Sequence, residues 1–194
     1  MNLRPLSRRF YARDALQAAP DLLGRLLVRE VDGTTLVGRI VETEAYGPDD
    51  PASHSFRGPR RANATMFGPP GHSYVYVSHG IHHCLNAVCR PPSAVLIRAL
   101  EPVEGVGEMV RRRGLEDPRL LCAGPGRLCQ AMGIMLTEDG HDLTVGRGLW
   151  IAPGRRAPQA VITPRVGLTV ALEQPWRFVL PGTRFASRPL PRGR

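Results

Sequence analysis

The 194-residue sequence predicts a single α+β domain in which antiparallel strands are surrounded by helices. Two hairpin signatures predict the antiparallel pairing. Asp32-Gly33 sits between apolar runs at 26–31 and 36–46, and His79-Gly80 between runs at 74–77 and 81–88. Such dipeptides suit tight turns because the glycine takes positive φ without steric cost. The third observation is the order of the patterns. Helical stretches flank the hairpins and do not alternate with single strands, as a parallel sheet would require. No internal repeat or long linker divides the chain, so 1–194 reads as one domain, with flexible ends expected at 1–12 and 188–194.

Residues 10–19 and 20–27 read as two short helical pieces, with Pro20 at a first helical position and Asp21 favouring the N-terminal dipole. The first hairpin follows. Residues 49–70 form a long polar segment punctuated by Gly58, Pro59, Gly68, Pro69 and Pro70, and a loop of that length inside one domain points to a functional segment. The second hairpin is the densest β signal. After it come a strand at 94–100 ending in Arg98-Ala99-Leu100, helices at 102–113 and 125–132, and short strands around 165–167 and 177–179.

All 26 basic residues are arginine, against 17 acidic ones, a net charge of +9. Without lysine there is no lysine Schiff base and no P-loop lysine. Genomic base composition accounts for arginine in place of lysine but not for the excess of nine, and an arginine-rich surface attracts phosphate, so nucleic acid is the expected partner class. With 42% hydrophobic and 6% aromatic residues the chain is globular, and Gly 21 with Pro 19 implies many turns. No run approaches the ~18 apolar residues of a membrane span. The start carries Arg4, Ser7, Arg8, Arg9 and Arg13, a faint transit-peptide flavour that Asp14 opposes, and it lacks the apolar stretch of a secretory signal. A cytoplasmic, nucleoid-associated protein is expected, with no signal peptide and no membrane. Cys84, Cys89, Cys122 and Cys129 lie in apolar patterns and read as buried reduced thiols.

Along 38–46, Glu42, Glu44 and Tyr46 share one parity and tend to one face of a strand unless a bulge intervenes. That face is either solvated or a source of general bases, because partial burial raises a carboxyl pKa. Tyr74 and Tyr76 form either ordinary core or a stacking platform for a nucleobase. His79, at the apex of a stiff hairpin, is either a solvent residue or a wedge between base steps. A metal site is not expected. His82, His83, Cys84 and Cys89 have neither zinc-finger nor H-E-x-x-H spacing, adjacent histidines on a strand face apart, and the zinc-deaminase pattern is missing. Residues 103–107 could pass for a helix–hairpin–helix glycine turn. Cys122 and Cys129 begin an iron–sulfur spacing that no further cysteine completes.

Taken together, these blocks resemble the alkyladenine (3-methyladenine) DNA glycosylase family. The matching stretches are GRIVETEAYG at 38–47, 57–70 with Asn63 and Met66-Phe67, YVYVSHGIHHCLN at 74–86, VLIRALEP at 95–102, CAGPGRLCQA at 122–131 and Arg165-Val166-Gly167. They run in order over nearly the whole chain, from about Asp21 to Ala186. The resemblance implies a curved, mostly antiparallel sheet, partly open and barrel-like, with a protruding hairpin. It also implies a monofunctional enzyme that flips alkylated or deaminated purines out of double-stranded DNA and hydrolyses the N-glycosidic bond, without cofactor, as a monomer.

By the same resemblance, Glu44 matches the glutamate that activates water, and Arg98 the arginine that helps hold them. Tyr46 matches one stacking face for the base, His54 and Tyr76 the other, and Asn86 the group that crowds the 2-amino of guanine. His79 stands at the hairpin tip where the family usually has an intercalating tyrosine, and the loop between Tyr46 and His54 is one residue shorter than in some relatives. The residue chemistry agrees. Glycosidic cleavage builds positive charge on the sugar, which an ionised Glu44 would stabilise while taking a proton from water. The absence of lysine leaves only the N-terminal amine for a lyase step. Two other readings are a non-catalytic damaged-DNA or nucleic-acid binding module on the same scaffold, and a metal-dependent hydrolase using the histidines.

Overall fold

Asp14 opens the first substantial helix of the chain by accepting a hydrogen bond from the Leu16 N–H at 2.8 Å, a side-chain cap that ties off a free backbone donor. That helix, α2 (Ala15–Leu22), follows a single turn, α1 (Arg8–Tyr11). The computed structural model describes residues 3–155, 157 and 159–190. The strands are β1 (Leu26–Val31), β2 (Thr34–Tyr46), β3 (Ser73–Ser78), β4 (His82–Val88), β5 (Ala94–Glu104), β6 (Leu149–Ala152), β7 (Val161–Thr163) and β8 (Arg177–Val179). Helices α3 (Val106–Arg113), α4 (Pro118–Leu121) and α5 (Pro125–Met132) lie between β5 and β6.

The eight strands form one antiparallel sheet in the order β3-β4-β5-β2-β1-β6, with β8 also on β2 and β7 on β8. Strand β2 organises it. One edge pairs with β5 from Val37 to Tyr46, while the other serves β1 over Thr34–Arg39 and β8 over Glu42–Glu44. Register shifts against β5 on both sides of Glu42 bend the strand. Bulges of this kind increase local twist. The sheet curls into a half-barrel, and the protein is a single α+β domain.

The main core lies between the sheet and α2, α3 and α5, where Leu22, Ile40, Leu85, Ile97, Met109 and Leu128 are buried. A smaller cluster of Leu26, Val28, Val37 and Trp150 fills a separate space. Alternation explains the division: along β1, Leu27 joins the first cluster while its neighbours Leu26 and Val28 join the second.

Several local expectations need correction. Pro20 lies inside α2, near its end, and Leu26-Leu27 begin β1, so there is no second helix at 20–27. Strand β5 runs on to Glu104 before Gly105, at φ 71°, turns the chain into α3, so the expected helix at 102–113 starts late. That glycine therefore joins a strand to a helix, and no helix–hairpin–helix forms at 103–107. Arg165-Val166-Gly167 is a bend and not a strand. The ladder ends at Thr163, Pro164 follows it, Gly167 takes φ 77°, and the Val166 N–H goes to a carboxylate. Of the ends expected to be flexible, residues 3–12 include the buried Leu6 and Tyr11, and the Arg188 carbonyl accepts from Arg177. Residues 1–2 and 191–194 lie outside the described residues.

Candidate active site

The polar end of β2 is where the half-barrel becomes a site. Glu42 and Glu44 have no solvent-exposed surface. An isolated buried carboxylate would be costly, and here each is matched by hydrogen-bond donors. Arg98, opposite on β5, lies between them. Its Nε donates to Glu42 Oε1 at 3.1 Å, its Nη1 to Glu44 Oε2 at 3.2 Å, and its Nη2 to Ser187 Oγ at 3.3 Å. The Tyr46 hydroxyl donates to Glu44 Oε2 at 2.8 Å and the Val166 N–H to Oε1 at 2.8 Å. The shared parity read from the sequence thus yields one connected cluster, despite the register shifts beside Glu42.

Each carboxylate oxygen accepts about two hydrogen bonds. Oε2 of Glu44 is filled by Tyr46 and Arg98, whereas among the described residues Oε1 accepts from Val166 alone and keeps an acceptor position for a further donor such as water. Burial, reinforced by the Glu44 carboxylate, pushes the Tyr46 phenol far above its ordinary range, so this hydroxyl acts as a donor. For Glu42, burial pushes upward, but Arg98, the Ser187 amide and hydroxyl, and Arg177 outweigh it and hold the carboxyl below its ordinary value. This reverses the upward shift expected from burial alone, because the charges and donors packed around Glu42 count for more than its lost water.

Two cavities open beside this cluster. A slot of about 100 Å³ is lined by Tyr46, His54, Met66, Tyr74, Tyr76 and Asn86. It shares Tyr46, Tyr76 and Leu168 with a cleft of about 590 Å³ whose walls include Arg98, Arg113, Arg127 and Arg188, a basic lining suited to phosphate. Tyr76 and Tyr74 stack with ring centroids 5.6 Å apart, and His54 meets Tyr76 at 4.5 Å edge-on while its Nδ1 lies 2.8 Å from the Tyr74 hydroxyl. Desolvation in this contact lowers the His54 pKa and favours a neutral ring. Asn86 is buried, its amide donating to the Tyr74 and Cys84 carbonyls at 3.0 and 3.4 Å.

The five residues expected around the base, Tyr46, His54, Tyr76, Asn86 and Glu44, therefore stand together with Arg98. His79, at the tip of the β3–β4 hairpin, lines the same basic cleft as Tyr46, Tyr76 and Arg98, with φ 51° and its Nδ1 2.9 Å from Ser78 Oγ. Beside it Ile81 is 72% exposed, an aliphatic side chain at the same tip. Among the described residues, no three His, Cys, Asp or Glu side chains group as a metal-ligand set, and no helix is long and apolar enough to cross a membrane. All four cysteines are free and buried.

Sequence reading missed the supports. Arg165 makes a bidentate pair with Asp50, both side chains fully buried, with its Nη2 2.9 Å from Asp50 Oδ1. It also donates to the Ala45 carbonyl at 3.1 Å, and its guanidinium carbon lies 4.7 Å from the Tyr46 ring centroid, backing that ring. Arg177 and Ser187 converge on Glu42. These partners are 115 to 145 residues apart in the chain, a separation that leaves no local pattern. The only signal was the Arg165-Val166-Gly167 block, whose role the spacing did not reveal.

The sequence profile of the methylpurine-DNA glycosylase (MPG) family matches residues 9–184. Among curated proteins, a "Putative 3-methyladenine DNA glycosylase" of Rhodopseudomonas palustris is 50% identical over 192 residues, covering 96% of this chain and 90% of that protein. Proteins of the same name from Rhizobium meliloti and Carboxydothermus hydrogenoformans are 52% and 46% identical, covering 92% and 94% of this chain and 94% and 98% of their own lengths.

Proposed function

Because the chain belongs to the methylpurine-DNA glycosylase family, a family of hydrolases acting on N-glycosyl bonds in DNA, we propose that it excises alkylated or deaminated purines from double-stranded DNA with Glu44 as the base that activates water. The observation that carries this reading is the contact of the Glu44 carboxylate with Tyr46 and Arg98, two residues that also wall an aromatic slot and a basic cleft.

A duplex lies along the arginine-lined cleft, and the damaged nucleotide swings out so that its base enters between Tyr46 and the His54–Tyr76 wall. Unpairing costs a few kcal/mol, least for a damaged or mispaired base, and stacking offsets part of it. His79 fills the gap left in the stack. Water held at the open acceptor of Glu44 Oε1 attacks C1′ of the sugar. Its proton passes to the carboxylate, the new C–O bond forms, and the C1′–N bond breaks with its electron pair leaving on the purine. A purine alkylated at N3 or N7 is cationic before cleavage and departs neutral. Glu44 also stabilises the positive charge that develops on the sugar. Asn86 crowds guanine and so favours lesions over the normal base. With no lysine in the chain, the N-terminal amine is the one amine that could compete with water, and the monofunctional reading takes water as the nucleophile. It works as a monomer, inside the cell, without a cofactor.

Glu44→Gln tests the reading on a panel of duplexes, each bearing one damaged purine, assayed for released base in a single turnover. The variant is expected to bind damaged duplex and release no base. Near wild-type release would remove Glu44 from the role. Salt-sensitive duplex binding by the wild-type protein, with no free base from any lesion, would make it a binding module.

A further inference from the structure

Glu42 takes no part in the reaction described above, yet the fold gathers four donors around it. Oε1 accepts from Arg98 Nε at 3.1 Å, Arg177 Nε at 2.7 Å and Ser187 Oγ at 2.7 Å, while Oε2 accepts from the Ser187 N–H at 2.5 Å. Three donors meet at Oε1, above the usual two, so this oxygen, the one that faces Arg98, is fully engaged by its neighbours. Its charge serves Arg98. That guanidinium uses one edge on Glu42 and another on Glu44, so Arg98 links two carboxylates that stand two residues apart on β2.

The linkage answers a problem in the chemistry. An arginine whose charge is uncompensated, set against a general base, makes the base harder to protonate and opposes positive charge growing on the sugar. We propose that Glu42 is a positioning residue for Arg98, holding its guanidinium by the Nε edge and compensating its charge beside the general base Glu44. The inference rests on the reading of Glu44 as the general base. The other groups facing Glu44 are the Tyr46 hydroxyl on its own strand, Tyr76 on β3, Cys84 on β4, Arg165 beside the Val166 N–H, and Arg177, opposite it in register on β8. Among these groups and Arg98, the cations that bear on Glu44 are arginines, and Glu42 bonds two of them directly.

The test is the pH profile of single-turnover base release, measured on the damaged duplex that the wild-type protein cleaves fastest. Glu42→Gln removes the compensating charge and keeps the shape. The expected result is a rate about tenfold lower, with duplex affinity within about twofold of wild type and the acid limb moved to lower pH by about half a unit or more. Arg177→Gln removes a cation instead and should move the acid limb to higher pH. Glu42→Asp keeps the charge and should return the limb toward wild type if Glu42→Gln has displaced it. Opposite displacements in the first two variants carry the proposal, because loss of packing alone would not reverse sign with charge. Acid limbs that coincide in folded Glu42→Gln and wild type overturn it. Should Glu42→Gln not fold, coincidence of Arg177→Gln with wild type overturns it equally. A wild-type protein that releases no base from any lesion overturns the glycosylase reading and this inference with it, whereas wild-type release with unmoved limbs overturns the inference alone.

Discussion

Substituting Asp50 by asparagine strips the charge from a carboxylate that is fully buried against Arg165 and leaves the guanidinium without its counter-ion. Breaking one side of such a pair costs about 3–5 kcal/mol, mostly because the remaining charge stays out of water unpaired. For a domain of this size each kcal/mol lowers the melting temperature by about 2–4 °C, so the expected fall is about 6–20 °C. The damage should reach the site, because Arg165 backs the Tyr46 ring and ties Asp50 to the Ala45 carbonyl at the end of β2. Scanning calorimetry of the wild-type protein, Asp50→Asn and the double variant Asp50→Asn/Arg165→Met measures the effect. The double variant should recover a substantial part of the loss, since an apolar side chain needs no counter-ion. A single variant melting within about 2 °C of wild type refutes the reasoning, because no buried unpaired guanidinium is compatible with so small a change.

Three further outcomes are expected. His79→Ala at the hairpin tip should slow release of a well-paired lesion much more than release of the same lesion opposite a mismatch, and equal losses on the two duplexes would remove the wedge role. Asn86→Ala should raise the release of undamaged guanine relative to lesions, since the buried amide is held in place by the Tyr74 and Cys84 carbonyls; unchanged selectivity would assign the filtering to another group. For Asp142, burial pushes the carboxyl upward, but Thr144 through its hydroxyl and amide, together with Arg8, brings it down to about 2 from the ordinary 3.8. A depressed folded-state value contributes stability that is present above the ordinary value and lost as the pH falls through the folded one. Asp142→Asn should therefore be less stable at neutral pH by about 1 kcal/mol after allowance for solvent screening. In denaturant titrations the gap should close as the pH falls from 3.8 toward about 2.

Alternation and turn chemistry carried most of the fold. The Asp32-Gly33 turn takes φ of 52° and 72° and joins the strands it was expected to join, and the helix at 125–132 has the limits expected for it. The errors fall where competing forces are close. Pro20 lies near the end of α2, where it can be accommodated, and residues Glu101 to Glu104 extend along a strand because β2 offers them a paired edge. At the site, side chains close together in sequence were legible: Glu42, Glu44 and Tyr46 by parity, and Tyr74, Tyr76 and Asn86 within one hairpin. Asp50 with Arg165, and Glu42 with Arg177, were not. A buried ion pair is specified by where two distant segments meet, and nothing in either segment alone distinguishes such an arginine from the many on the surface.

Strand β2 is gripped on both edges, by β5 along one and by β1 and β8 along the other, so Glu42 and Glu44 sit on backbone that is last to open when the protein breathes. The slot draws its far wall from elsewhere: His54 and Met66 belong to the segment between β2 and β3, which carries a 3₁₀ helix at Arg61–Phe67. In the proposed reaction, the base that activates water and one wall of the slot thus come from different stretches of chain. In that reaction, variation in the connecting segment would reshape this wall while leaving Glu44 and its partners in place, whereas variation around Glu42 and Glu44 puts the whole domain at risk.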